Sequence, residues 1–128
     1  LSSDHLLCEM SQMEYQSEGR TIHVDDGGLD EITSRYPLVF ADFWAPWCAP
    51  CRAMGPIIDS LAEENSARAV FVKVNVDKNP RKAAEYHIHG IPTIVIFKDG
   101  KPVDRVIGAV PKGTLEQKIK LHSSVHGD

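Results

Sequence analysis

Apolar and polar positions change period repeatedly along this chain and divide it into strands and helices. Residues 1–19 (LSSDHLLCEMSQMEYQSEG) keep no sustained period and end at Gly19; they are read as a flexible N-terminal extension, in which Leu6, Leu7, Met10 and Met13 could dock as one helical turn. The composition shifts near residue 19, so one domain is expected over 20–128. Arg20–Val24 predicts a short strand, and Asp25-Asp26-Gly27-Gly28 offers turn and capping chemistry before a helix near Leu29–Arg35. Leu38–Trp44 is nearly all apolar, as a central strand covered on both faces should be.

After Trp47, Met54, Ile57, Ile58, Leu61 and Ala62 recur at helical spacing, with Asp59, Glu63 and Glu64 toward water. Pro56 falls inside that pattern and predicts a kink. Ala69–Val76 alternates as a strand, and Asn79-Pro80 opens a helix through Tyr86. Thr93–Phe97 is a β-branched and aromatic strand that turns at Asp99-Gly100 into Val103–Ile107. A last helix starts at Pro111, with Leu115 and Ile119 inward and Lys112, Glu116 and Lys120 outward. The order βαβαβαββα means an α/β fold, a mixed sheet with helices on both faces.

Composition narrows the function classes. A chain of 128 residues fits one domain with a real core, and 42% hydrophobic with 25% charged residues is globular rather than disordered. No apolar run approaches the ~18–20 residues of a membrane span, and no basic stretch followed by an apolar one opens the chain. With net charge −4 and no Lys/Arg cluster, neither a nucleic-acid partner nor a membrane partner is expected.

Three cysteines are too few for a disulfide scaffold, but Cys48 and Cys51 stand as C-x-x-C at the start of the long helix. There the unpaired N–H groups and the helix dipole favour an anion, which lowers the Cys48 thiol pKa and makes it the attacking thiolate. Cys51, one turn inside, is the less exposed thiol that resolves the mixed disulfide. Pro50 suits the first helical turn, where its missing N–H costs nothing. The rival readings are two core cysteines or half of a zinc site. Zinc needs further ligands, and Cys8, His87 with His89, and His122 with His126 supply no clean second pair. The histidines are read as solvated surface residues.

The segment Ala41-Asp42-Phe43-Trp44-Ala45-Pro46-Trp47-Cys48-Ala49-Pro50-Cys51-Arg52 resembles the active-site segment of the thioredoxin family. Gly90-Ile91-Pro92-Thr93 is similar to that family's cis-proline loop, and Lys98-Asp99-Gly100 with Gly108-Ala109 to its C-terminal hairpin and following glycine. The likeness covers about residues 20–122. It implies the thioredoxin fold, with Cys48 as nucleophile and Cys51 as the buried resolving thiol. Asp42, in an apolar strand, would be raised in pKa by burial and could take the Cys51 proton. The plainer alternative is an exposed or capped strand-end aspartate. Lys73 resembles the family's lysine beside that carboxylate; a solvated lysine on an alternating strand is its alternative.

Pro92 is expected to be cis and to face the disulfide, beside an Ile91 backbone able to pair with an extended substrate. An ordinary proline at a strand start is the other reading. Trp47, Ala49, Pro50, Ile91, Pro92, Ile107 and Gly108 complete the expected target-binding rim, while Phe43 belongs in the core and Trp44 against the active-site loop. Ala49 and Arg52 depart from the family's usual glycine and lysine, which leaves the exact potential open.

The resemblance implies a monomeric cytoplasmic protein-disulfide reductase that needs no metal or bound cofactor beyond its own disulfide. Its partners would be disulfide-containing target proteins and a thioredoxin reductase, a flavoprotein fed by NADPH or a ferredoxin-dependent enzyme. Two rivals share the fold: a disulfide isomerase or oxidant, and a non-enzymatic binding subunit.

Overall fold

The computed structural model describes residues 21–123, so the readings of residues 1–20 and 124–128, Cys8 and His126 among them, lie outside the described residues. Five strands form one sheet in the order β1-β3-β2-β4-β5: β1 (Ile22–His23), β2 (Leu38–Trp44), β3 (Val70–Asn75), β4 (Thr93–Lys98) and β5 (Lys101–Ile107). β3 runs parallel to both β1 and β2, while β2–β4 and β4–β5 are antiparallel. Among the described residues, four helices cover it: α1 (Asp26–Arg35), α2 (Ala49–Glu64), α3 (Pro80–Glu85) and α4 (Lys112–Ser123). This is the mixed α/β sheet expected from the hydrophobic pattern.

The pleat of β2 shows why its sequence is apolar at every position but Asp42. Leu38 and Phe40 join Met54, Ile58 and Leu61 of α2 and Leu115 and Ile119 of α4 in one core cluster. Val39, Ala41 and Phe43 point the other way, to Leu29 and Ile32 of α1. Phe40 stacks on Phe71 with ring centroids 4.9 Å apart. α4 is held to the sheet mainly by Leu115 and Ile119. Leu115→Ala should cost about 2–5 kcal/mol, seen as a lower urea midpoint at unchanged m-value.

Several boundaries differ from the sequence reading. α1 starts at Asp26 rather than near Leu29, because the Asp25 carboxylate accepts the Gly28 N–H at 2.7 Å and draws both glycines into the first turn. Of the strand expected over Arg20–Val24, the described residues form only Ile22–His23. α2, by contrast, runs as one helix through Pro56 as the pattern predicts, with the proline on the exposed side. α3 ends at Glu85, with Tyr86 as its C-cap. Asp99 (φ 52°) and Gly100 (φ 86°) both take positive φ, as a two-residue type I′ hairpin requires. β5 begins at Lys101, and an irregularity at Ile96/Phe97 absorbs one extra residue opposite Pro102–Asp104.

The outward surface of α4 is less free than expected. Lys112 Nζ reaches Ser60 Oγ (3.0 Å) and Glu64 Oε2 (2.9 Å) on α2. His122, read as a solvated histidine, instead sits 3.0 Å from Asp104 Oδ2, and its carbonyl accepts from Lys98 Nζ at 2.7 Å. The fold brings the end of α4 over β5, a juxtaposition that the local sequence cannot show.

Candidate active site

The edge of the sheet where β2 ends and α2 begins gathers the chemistry. Ala45, Cys48 and Cys51 form a small buried cluster with Trp44, Val76 and Ile91 packed on it. Cys48 is the N-cap of α2, and its Sγ accepts the Cys51 N–H at 3.2 Å. The pair is joined in a disulfide with Cα atoms 5.2 Å apart. Cys48 is 6% exposed and Cys51 wholly buried, so the two sulfurs are not equivalent.

The loop before β4 closes over this pair. The Ile91–Pro92 peptide is cis, and the Ile91 carbonyl oxygen lies 3.8 Å from Cys48 Sγ. Thr93 Oγ1 donates to the Gly90 carbonyl at 2.6 Å, and the Gly108 N–H to the Pro92 carbonyl at 2.8 Å. Gly108 has φ 88°, a conformation that side chains resist. Trp47 and Ile107, each 66% exposed, stand out as large apolar groups that water still reaches. Ala49 and Pro50 are exposed, Ile91 is half-buried and Pro92 buried. Trp47 is fixed by a feature sequence reasoning missed: its indole N–H donates to Asp77 Oδ2 at 2.7 Å. Asp77 lies in the loop after β3, and no local signal marks it. Asp77→Ala should release the indole and slow target reduction several-fold while the melting temperature holds within a few degrees, checked by steady-state assay and calorimetry.

Asp42 on β2 is 1% exposed, and neither carboxylate oxygen has a hydrogen-bond partner among the described residues. Burial pushes its pKa up to about 6 against the smaller opposing pull of Lys73. Lys73 is its register partner on β3, with Nζ 4.5 Å above the Trp44 ring centre. Asp42 is thus neither exposed nor capped, and Lys73 is half-buried with its Nζ over the Trp44 ring. Among the described residues, no three His, Cys, Asp or Glu side chains converge as a metal site. His87 and His89 lie with ring centroids 6.4 Å apart on the loop before Pro92.

A buried, asymmetric cysteine pair capping a helix, roofed by a cis-proline loop on a mixed sheet, defines a dithiol–disulfide exchange centre. Comparison with known proteins gives the same class. The family model described as Thioredoxin matches residues 21–121, and the chain belongs to the thioredoxin family. It is 55% identical over 86 residues to a thioredoxin of Porphyra purpurea, covering 67% of this chain and 80% of that one. Identity to the chloroplastic M-type thioredoxin of Pisum sativum is 48% over 101 residues, 77% of this chain and 58% of that protein. Among solved structures, a mutant thioredoxin from Halobacterium salinarum superposes with TM-score 0.78 at 35% identity, covering 82% of this chain and 92% of that one. The chain is therefore a disulfide oxidoreductase whose redox centre is its own cysteine pair.

Proposed function

We propose that this chain reduces disulfides in other proteins, with Cys48 attacking and Cys51 resolving. The observation that carries the reading is the place of Cys48 Sγ at the N-cap of α2, accepting a backbone N–H where a thiolate is favoured. The Cys48 thiolate attacks one sulfur of the target disulfide. A Cys48–target S–S bond forms as the target's own bond breaks, and the released target thiolate takes a proton from water. Cys51 then gives its proton to the Asp42 carboxylate and bonds to Cys48 Sγ, expelling the second target thiolate, which is protonated in turn. Two electrons pass from the pair to the target.

Lys73 tunes Asp42, and the exposed Trp47 and Ile107 with Ile91, Pro92, Gly108, Ala49 and Pro50 form the surface an extended target segment lies on. The Ile91 main chain beside Cys48 supports strand-like pairing with that segment. Target proteins with accessible disulfides and a thioredoxin reductase are the partners this chemistry requires, and a reducing compartment such as the cytoplasm is where it operates. No helix among the described residues is long and apolar enough to cross a membrane.

Insulin reduction followed by turbidity tests the reading. The protein should accelerate precipitation by dithiothreitol; an unaccelerated reaction would leave only a binding role. The catalytic unit is taken as residues 20–128, so removing residues 1–17 should leave the rate within about twofold. A larger loss would show that the extension contributes to the site.

A further inference from the structure

Three neighbouring strands bring three titratable side chains into one row. His23 on β1 is the register partner of Lys73 on β3, and Lys73 that of Asp42 on β2. Directly paired residues of parallel strands project to the same face, and Trp44, two residues beyond Asp42, projects there too. The contacts bear this out: the His23 ring meets the Trp44 indole edge-on, with centroids 5.8 Å apart at 65°, and Lys73 Nζ sits over the same indole. His23, Trp44 and Lys73 line one surface cavity of about 540 Å³, together with Asp25 and Lys78. The row thus runs from exposed His23 inward to a carboxylate sealed from water.

We propose that His23 is a positioning residue for proton transfer at Asp42, acting through Trp44 and Lys73 on the field in which the carboxylate takes up the Cys51 proton. The proposal rests on the reading of Asp42 as that proton acceptor. Partial burial holds the His23 imidazole below its ordinary pKa, Lys73 lowers it further, and Asp59 of α2 opposes them. Burial pushes Asp42 the other way, up to about 6. A protonated His23 stabilises the Asp42 carboxylate and, by reciprocity, the carboxylate stabilises the imidazolium.

The test is the pH dependence of the resolving step, read as the second phase of single-turnover disulfide reduction by the full chain. In the wild type the rate should fall as pH drops through about 6, where Asp42 becomes protonated. His23→Gln should move that limb up, and His23→Lys should move it down. Across two strand spacings of ~4.8 Å, the limbs of the two variants should stand about 0.3–0.5 pH unit apart, with the wild type between them. Neither change should affect an Asp42→Asn background. The reciprocal readout leaves His23 in place: in Asp42→Asn, the His23 ring resonances should titrate at lower pH than in the wild type. If Asp42→Asn removes the limb while both His23 variants leave it in place, the inference fails and the Asp42 reading stands. Equal shifts with and without Asp42 overturn the inference as well. A limb unchanged in Asp42→Asn overturns the Asp42 reading and the inference together.

Discussion

Cys48→Ser should abolish disulfide reduction, and Cys51→Ser should instead accumulate mixed disulfides with target proteins. The two outcomes differ because the two sulfurs occupy different environments one helical turn apart. Cys48 caps α2, where its Sγ accepts the Cys51 N–H, and it retains the only exposed surface of the pair. Serine there offers no thiolate, so no target bond can form. Cys51 is wholly buried behind it and meets a target only through the Cys48 mixed disulfide. With Cys51 replaced, the first exchange proceeds and the second has no nucleophile, so the adduct persists. Mass spectrometry of the alkylated adduct should locate the target on Cys48. Equal alkylation rates for the two thiols of the reduced native protein would contradict this asymmetry.

Asp42→Asn should slow turnover about 10²-fold while making the domain more stable at neutral pH. Positioned proton transfer contributes ~10²–10⁴-fold, and a water path can recover part of it, so the low end is expected. The loss should fall on the Cys51 step. The stability effect follows from linkage. The folded-state pKa of about 6 lies above the ordinary 3.8, so the native state holds this proton more tightly than the unfolded chain. Stability from this group is fully present below pH ~4 and is lost as pH rises through about 6. A shift of about two units at 1.36 kcal/mol each makes the loss about 3 kcal/mol. Asparagine lacks that titration, so the stability difference between variant and wild type should widen by about 3 kcal/mol from pH 4 to pH 7. Urea unfolding at both values measures it. A constant difference would mean that Asp42 is ionised at its ordinary pKa inside the fold.

The site is legible in the sequence because each part of it leaves a local mark. A C-x-x-C beside a proline-containing first turn, an aspartate in an apolar strand and an Ile-Pro before a β-branched run are visible without any tertiary knowledge. The two-faced core is equally legible in Leu38–Trp44, since a strand buried on both faces shows no polar–apolar alternation, and the single polar residue Asp42 stands out against it. Residues whose roles come from register or docking leave no such mark. Asp77 reads as an ordinary loop acid until the Trp47 indole is placed against it. Lys82 looks like a solvated lysine, yet it is buried between Asp30 and Glu85, each 2.7 Å from Nζ, and so ties α1 to α3. His23 acquires neighbours only when β1 pairs with β3. The start of α1 departs from the sequence reading because Gly27-Gly28 signals a turn, whereas the Asp25 cap outweighs the cost of both glycines.

The equilibrium potential of the Cys48–Cys51 couple, measured against a glutathione buffer, tests the central claim most directly. A disulfide reductase must hold electrons at a potential below those of its targets' disulfides. Thioredoxins lie near about −270 mV, a value that belongs to the family rather than to any distance in this structure. The account predicts a couple within about 30 mV of that figure, with Cys48 and Cys51 oxidised together and no third thiol consumed. A potential at or above about −180 mV, in the range of disulfide isomerases, would contradict the assignment as a reductase.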